Sequence, residues 1–475
     1  MFRCLSLALV AGILPGLADF AAAAERPPNI VLFFVDNLGT GDVGCYGSQL
    51  HRTPNIDRLA AEGAKLTSFY VASGVCTPSR AALMTGCYPL RVDMHVSGAG
   101  GVVLRPLDTK GLNPQETTIA ETLKSVGYAT GIFGKWHLGD QPQFLPTRQG
   151  FDTFFGIPYS DDMVRELKPE IWPELPLMRD EEVMEAPVDR DYLVRRCTEE
   201  TIKFIEANKD RPFFAYVPHT MPGSTNHPFA SPAFHGKSQN GKYGDSVEEL
   251  DWSTGQVLDA LKRLDLDDDT LVIWTSDNGA PRRNPRQGSN LPYLGDGYNT
   301  SEGAMRMPCV IRWPGKVKPG YETDAICSTM DLLPTFAKLA GANLPENAID
   351  GADIGPILFA DSDAADDPAS PWDEKGFAFY YMDQLQAVRA GRWKLYLPLD
   401  PQDAKRIPPA ASKQGAPALY DVRSDLHEDH EVAAKNPEAV AQLTKLANQI
   451  RNQVAAERRP AGKEENPQAL VKQGK

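Results

Sequence analysis

Cys76-Thr77-Pro78-Ser79-Arg80, running on into Ala81-Ala82-Leu83-Met84-Thr85-Gly86, sets an oxidisable sulfur one helical turn ahead of a permanent cation. Pro78 suits the first turn of a helix and Gly86 its exit, so the spacing predicts a short helix with Cys76 at its N-terminal mouth. Free N–H groups and a partial positive charge make such a mouth an anion site, to which Arg80 adds a guanidinium. Two Asx pairs, Asp36-Asn37 and Asp277-Asn278, offer only oxygen ligands, which suits a hard cation such as Ca²⁺ rather than zinc. Gly134-Lys135-Trp136-His137 brings together a second cation and a histidine, whose ordinary pKa near neutrality fits proton transfer. His219, in Val217-Pro218-His219, is a further candidate, with His227 a fallback and His51 and His95 read as structural. Arg282, Arg283 and Arg286 follow the second Asx pair in a loop whose bland reading is a solvated surface.

These residues need a scaffold, and the chain provides one. Asn29 to Asn37 is a continuous apolar run ending in polar residues, as expected of a strand buried on both faces. Thr53-Pro54 opens a helix that closes near Gly63, and Lys65 to Val71 reads as a strand leading to Cys76. Thr117 to Val126 reads as a helix, and Tyr128–Phe133, Pro212–Val217 and Thr270–Thr275 as buried strands. Alternating strands and helices predict an α/β fold with a large, mostly parallel central sheet flanked by helices. The candidate residues come just after these strands, and ligand sites in open α/β sheets lie beyond the strands' carboxyl ends. The acidic stretch 361–371 reads as a linker ending a catalytic domain of 25–365. Short strands at Phe377–Tyr381, Ala387–Ala390, Trp393–Leu397 and Leu419-Tyr420, with an amphipathic helix Pro437–Val454, predict a C-terminal α+β subdomain over 372–458. The Lys/Glu/Gln-rich tail, 459–475, is expected to be disordered.

The chain has 475 residues and a formal net charge of −14, which excludes the broad basic surface of a nucleic-acid binder. An anionic substrate would therefore need a locally positive pocket inside an acidic protein. Residues 1–24 read as a cleaved secretory signal peptide: Arg3, an apolar stretch from Leu5 to Leu17, and Ala22-Ala23-Ala24 at the cleavage site. No later segment is apolar enough to cross a bilayer, so the mature protein is expected to be secreted or periplasmic. Six cysteines remain after Cys4 leaves with the signal, with no zinc-type pair and no compact disulfide framework. If Cys76 is consumed chemically, five are left and at least one thiol stays unpaired. Cys45 and Cys87 are expected in the core.

Cys76-Thr77-Pro78-Ser79-Arg80 resembles the signature of the formylglycine-dependent type I sulfatases. The similarity extends through V-D-N-L-G-T-G-D, T-P-N-I-D-R-L-A, G-K-W-H-L-G, G-I-P-Y-S, S-D-N-G, E-G-A-M-R-M-P and R-W-P-G in family order, nearest to the arylsulfatase A and N-acetylgalactosamine-6-sulfatase branch. The resemblance implies an alkaline phosphatase-like fold and hydrolysis of sulfate esters through a covalent sulfo-enzyme intermediate. It implies a formylglycine made from Cys76 by a formylglycine-generating or sulfatase-maturing enzyme. It also implies Ca²⁺ held by Asp36, Asn37, Asp277, Asn278 and the modified Cys76. By the same resemblance Lys135 grips the sulfate, His137 takes a proton as the intermediate collapses, and Ser160 orients this neighbourhood. His219 contacts the leaving-group oxygen, and Asp277 orients or deprotonates the attacking hydroxyl. Export favours sulfated carbohydrate as substrate. Two positions depart from the family pattern: Asn37, where many members carry Asp, and Gly297, where the family places a sulfate-binding lysine, a role for which Arg282, Arg283 and Arg286 are candidates. A phosphonate or phosphate-ester hydrolase and a non-catalytic glycan binder are the competing readings.

Overall fold

In a computed structural model of the chain, residues 26–283, 287–360, 368–400, 405–412 and 415–471 are described. Five parallel strands form the centre, in the order Thr270–Ser276, Asn29–Val35, Phe213–Val217, Ala129–Lys135 and Thr153–Ile157. Asn29–Val35 is buried at all seven positions, which is why its sequence shows no polar alternation. On one side the sheet continues antiparallel through Arg306–Arg312 and Ala64–Tyr70, on the other through Leu177–Arg179 and Glu182–Glu185.

Side-chain alternation divides the core. Ile30, Leu32 and Phe34 point into one layer, covered by the helices Cys76–Thr85, Ile119–Lys124 and Leu332–Ala340. Val31, Phe33 and Val35 point into the opposite layer, covered by Pro54–Ala61, Leu193–Ala207 and Gly241–Arg263. The expected α/β arrangement, a large and mostly parallel sheet between helices, is therefore present.

The C-terminal unit is a four-stranded antiparallel sheet, Phe377–Tyr381, Gln384–Ala390, Trp393–Tyr396 and Ala418–Asp421, packed by the helix Pro437–Ala456. A buried ionic knot fastens it to the main sheet. Glu302 pairs with Lys394 at 2.8 Å and Arg306 at 3.2 Å, accepts from Tyr70 Oη at 2.6 Å, and Lys394 reaches Glu428 at 3.6 Å. Thr300 Oγ1 donates to Gln386 Oε1 across the same boundary.

The tail corrects its expectation. Arg459 forms a two-pronged bond to Glu116 at 2.8 and 2.9 Å, and Gly462–Lys463 pairs with Lys110–Gly111. A polar composition hid this order because its partners lie more than 300 residues upstream. Residues 1–25, 361–367 and 472–475, which hold the signal-peptide reading, most of the linker reading and the tail's last residues, lie outside the described residues.

Candidate active site

Each central parallel strand delivers one candidate group at its carboxyl end, as the strand-end rule requires. Asp36-Asn37 follows Asn29–Val35, Asp277-Asn278 follows Thr270–Ser276, Lys135 ends Ala129–Lys135, and Ser160 and His219 follow the remaining two. Cys76 opens the helix Cys76–Thr85 after an extended Val75 that provides no side-chain cap. Its N–H groups are thus left for another acceptor. Gly86 closes the helix at φ 67°, a left-handed exit that glycine takes without strain.

Arg80 is fully buried and organises the centre. Its Nε and Nη2 donate to Asp277 Oδ2 at 3.1 and 2.7 Å, Nη2 also reaches Asp36 Oδ1 at 3.3 Å, and Nη1 donates to the Lys135 carbonyl at 2.9 Å. Lys135 Nζ donates to Asp36 Oδ1 at 2.8 Å and to Ser160 Oγ at 3.2 Å. Burial works against the Asp36 charge, but Lys135 and Arg80 outweigh it and hold the carboxyl at about 2. Asp277 is pushed up, by burial and then by the adjoining Asp36 carboxylate. Burial raises the Cys76 thiol to about 12 although Lys135 pulls the other way. A thiol held protonated is a poor nucleophile.

Asp36, Cys76 and Asp277 each offer a ligand atom within 4.8 Å of the others. Asn37 stands at φ 64°, and its Oδ1 accepts from Asn278 Nδ2 at 2.5 Å, while Asn278 Oδ1 is buried without a partner. An orphaned amide oxygen beside two buried carboxylates is a ready cation ligand, so the residues fit a hard metal ion. Two carboxylates against Arg80 and Lys135 sum to zero charge, and a divalent cation would make the pocket net positive. With such an ion bound, an acidic protein would still present a positive pocket to an anion.

His137 Nε2 bonds the Leu104 carbonyl at 3.0 Å, which fixes the tautomer with its proton on Nε2 and leaves a partnerless Nδ1 able to accept a proton. Burial first, then Lys135, keeps the ring neutral, its pKa well below the ordinary value.

His219 is not brought into this group. It continues the alternation of Phe213, Ala215 and Val217, so its ring turns into the helical layer, stacks on Phe33 and bonds Ser253 Oγ at 2.8 Å. Burial alone lowers its pKa to about 3, with no charged group contributing. That orientation does not supply the leaving-group contact expected of it; the fallback, His227, is exposed. Arg283 donates Nε to the Thr225 carbonyl and Nη2 to the Gly223 carbonyl and lies over the Tyr243 ring, with its Nη1 buried and unpartnered; Arg282 is exposed, and Arg286 lies outside the described residues. Cys87 is buried as expected, whereas Cys45 is only partly so, and all six described cysteines are free thiols.

The sequence reading missed three residues at this site. Tyr298 and Ser224 share a hydrogen bond of 3.0 Å beside Asn37, and Asp161 is buried with both carboxylate oxygens partnerless. Asp161 had a signal, an acid immediately after the strand-following Ser160. Tyr298 had none beyond its flanking Gly297.

A parallel α/β sheet whose strand ends converge on an uncapped helix mouth, two cations and a buried Asx quartet defines an esterase of anionic esters. The protein comparisons agree. Residues 28–342 match the sulfatase family model, and residues 296–458 that of the N-sulphoglucosamine sulphohydrolase C-terminal region. The chain is 37% identical to arylsulfatase A of Homo sapiens over 482 residues, 94% of this chain and 90% of that one. It is 38% identical to N-acetylgalactosamine-6-sulfatase of Canis lupus familiaris (79% and 73%) and 38% to steryl-sulfatase of Mus musculus (83% and 75%). Among solved structures, the PsFucS1 sulfatase from Pseudoalteromonas sp. superposes with a TM-score of 0.77 at 27% identity, covering 91% of each chain. The chain belongs to the sulfatase family. It is a sulfuric ester hydrolase of the alkaline phosphatase-like fold.

Proposed function

We propose that the protein removes sulfate from sulfated carbohydrates, using a formylglycine made from Cys76 and a Ca²⁺ ion held by Asp36, Asn37, Asp277 and Asn278. The observation that carries this reading is Cys76 itself. It is buried at an uncapped helix mouth, within 4.8 Å of two carboxylate ligands, with its thiol held protonated and of no use as a sulfur nucleophile. Formylglycine, as its hydrate, supplies an oxygen nucleophile that can later be released without water having to attack sulfur. Calcium supplies charge to polarise the ester. Lys135, steadied by Asp36 and Ser160, binds a sulfate oxygen, and Arg80 holds both metal-binding carboxylates in place. Asp277 orients the attacking hydroxyl, and His137 Nδ1 takes the proton whose loss frees the product. His219 serves as a packing group behind the sheet.

Carbohydrate is supported by the amino-sugar sulfatase among the relatives. The signal-peptide reading favours export, and no helix among the described residues is long and apolar enough to cross a membrane. Maturation requires a formylglycine-generating or sulfatase-maturing enzyme as partner. The test is to purify the chain from a host with that activity, add calcium, and measure sulfate released from sulfated mono- and oligosaccharides beside 4-nitrophenyl sulfate and 4-nitrophenyl phosphate. Sulfate release, with an aldehyde at position 76 by intact mass, is the expected result. An aldehyde without any sulfoester cleavage, or preferential phosphate release, refutes it.

A further inference from the structure

Position 297 is closed to any side chain. A Cβ there would lie 2.4 Å from the Gly279 carbonyl oxygen, and the Gly297 N–H donates to the Ala280 carbonyl at 3.0 Å. The next residue is tied to the nucleophile loop instead. The Tyr298 N–H donates to the carbonyl of Gly74, two residues before Cys76, at 2.9 Å, and a Cβ on Gly74 would come within 2.3 Å of the Asn299 carbonyl. The segment is thus clamped between the loop of the second Asx pair and the loop of Cys76.

Within that clamp Tyr298 holds φ 74°, the left-handed region that is strained for a bulky residue. Glycine would adopt this backbone without strain, so the side chain is what the strain retains. Its hydroxyl lies 3.0 Å from Ser224 Oγ, which itself accepts from Asn37 Nδ2 at 2.9 Å. With Ser224 accepting from Asn37, the serine proton can turn toward Tyr298 Oη, and the phenol proton is left for an incoming acceptor. Burial foremost, and then the neighbouring Cys76, push the phenol pKa upward, so it stays a donor at every working pH.

We propose that Tyr298 binds the substrate's sulfate group, its neutral O–H donating to a sulfate oxygen in the role that a cation would fill at position 297. This rests on the sulfate-ester reading. It makes the pocket one that reads the anion with Lys135 and a neutral donor, and it gives the Tyr298–Ser224 pair a purpose toward the substrate.

The test is Tyr298→Phe, which removes one oxygen and keeps the ring, in the matured, calcium-loaded enzyme. A hydrogen bond to a charged acceptor is worth about 1.5–3 kcal/mol, so the dissociation constant of inorganic sulfate, read by calorimetry, rises about 10- to 150-fold. KM for 4-nitrophenyl sulfate rises with it, while the calcium affinity and thermal midpoint stay at wild-type values. Tyr298→Lys, which returns a donor to the same place, recovers sulfate binding relative to the phenylalanine variant. Wild-type sulfate affinity in Tyr298→Phe, or equal losses in the Phe and Lys variants, overturns the inference while leaving wild-type sulfatase activity intact. A wild-type protein that neither binds sulfate nor cleaves a sulfoester fails the functional reading and this inference together.

Discussion

Restoring the family lysine at position 297 is the substitution that resemblance alone would favour, and the structure gives it the opposite sign. Any Cβ at 297 must open a 2.4 Å approach to the Gly279 oxygen to an ordinary contact of 3.4 Å or more, a displacement of about 1 Å. Gly279 has no room to retreat. A Cβ on it would come within 1.9 Å of the Gly303 oxygen, its N–H is bonded to the Ala304 carbonyl at 3.0 Å, and its carbonyl accepts from Asn278 Nδ2 at 3.0 Å. Overpacking of this kind costs about 1–3 kcal/mol. For Gly297→Ala that lowers the urea midpoint by about 0.3–1 M, taking a slope of about 3 kcal/mol/M. Because the strain is delivered through Asn278, calcium titration by calorimetry shows weaker binding in the same variant. Gly297→Lys suffers the same losses and gains no sulfate affinity. An alanine variant with wild-type midpoint and calcium affinity, or a lysine variant that tightens sulfate, refutes the reasoning.

Arg80→Ala strips buried Asp277 of its cation, leaves Asp36 with Lys135 alone, and destabilises by about 3–5 kcal/mol in denaturant unfolding; Arg80→Lys, lacking the fork, recovers only part of that. A midpoint unchanged in Arg80→Ala contradicts its place in the centre. His219 has a folded pKa of about 3 against an ordinary 6.5, so the unfolded chain takes up the proton first, and stability that is full above pH 6.5 is lost as pH falls. By pH 4.5 its share of the loss is about 2.7 kcal/mol, and His219→Phe should abolish that share; a His219 ring that titrates near pH 6 by NMR removes the basis for it. Deleting residues 459–475 removes the Arg459–Glu116 bond and a strand pairing and lowers stability by about 1–3 kcal/mol, whereas an unaltered denaturation curve would mean the tail carries no weight.

The parallel centre was legible because strands buried on both faces must be apolar throughout, and Asn29–Val35 and Thr270–Ser276 say so without ambiguity. Arg306–Arg312 escaped because Arg306, Pro308 and Arg312 interrupt its run; Glu302 answers the first arginine and Glu62 and Asp267 the last, partners that only the fold supplies. The helix Gly241–Arg263 was masked by buried polar residues, among them Asp245, Asp251 and Ser253, each with a tertiary partner. At the site, residue types fixed the cluster, yet chain position could not say which way a side chain turns. The two-residue period of Phe213, Ala215 and Val217 carried the answer for His219, and it was there to be counted. Tyr298 was out of reach because its importance comes from a neighbour too crowded to bear a side chain.

The buried knot around Glu302 has a consequence for how damage would present. Lys394, Arg389 and Gln386 belong to the small sheet, yet through Glu302 and Thr300 they brace the strap that ends in Tyr298. A lesion in that distant sheet would therefore surface first as impaired turnover, its origin misread as a fault of the pocket, in a molecule still largely intact.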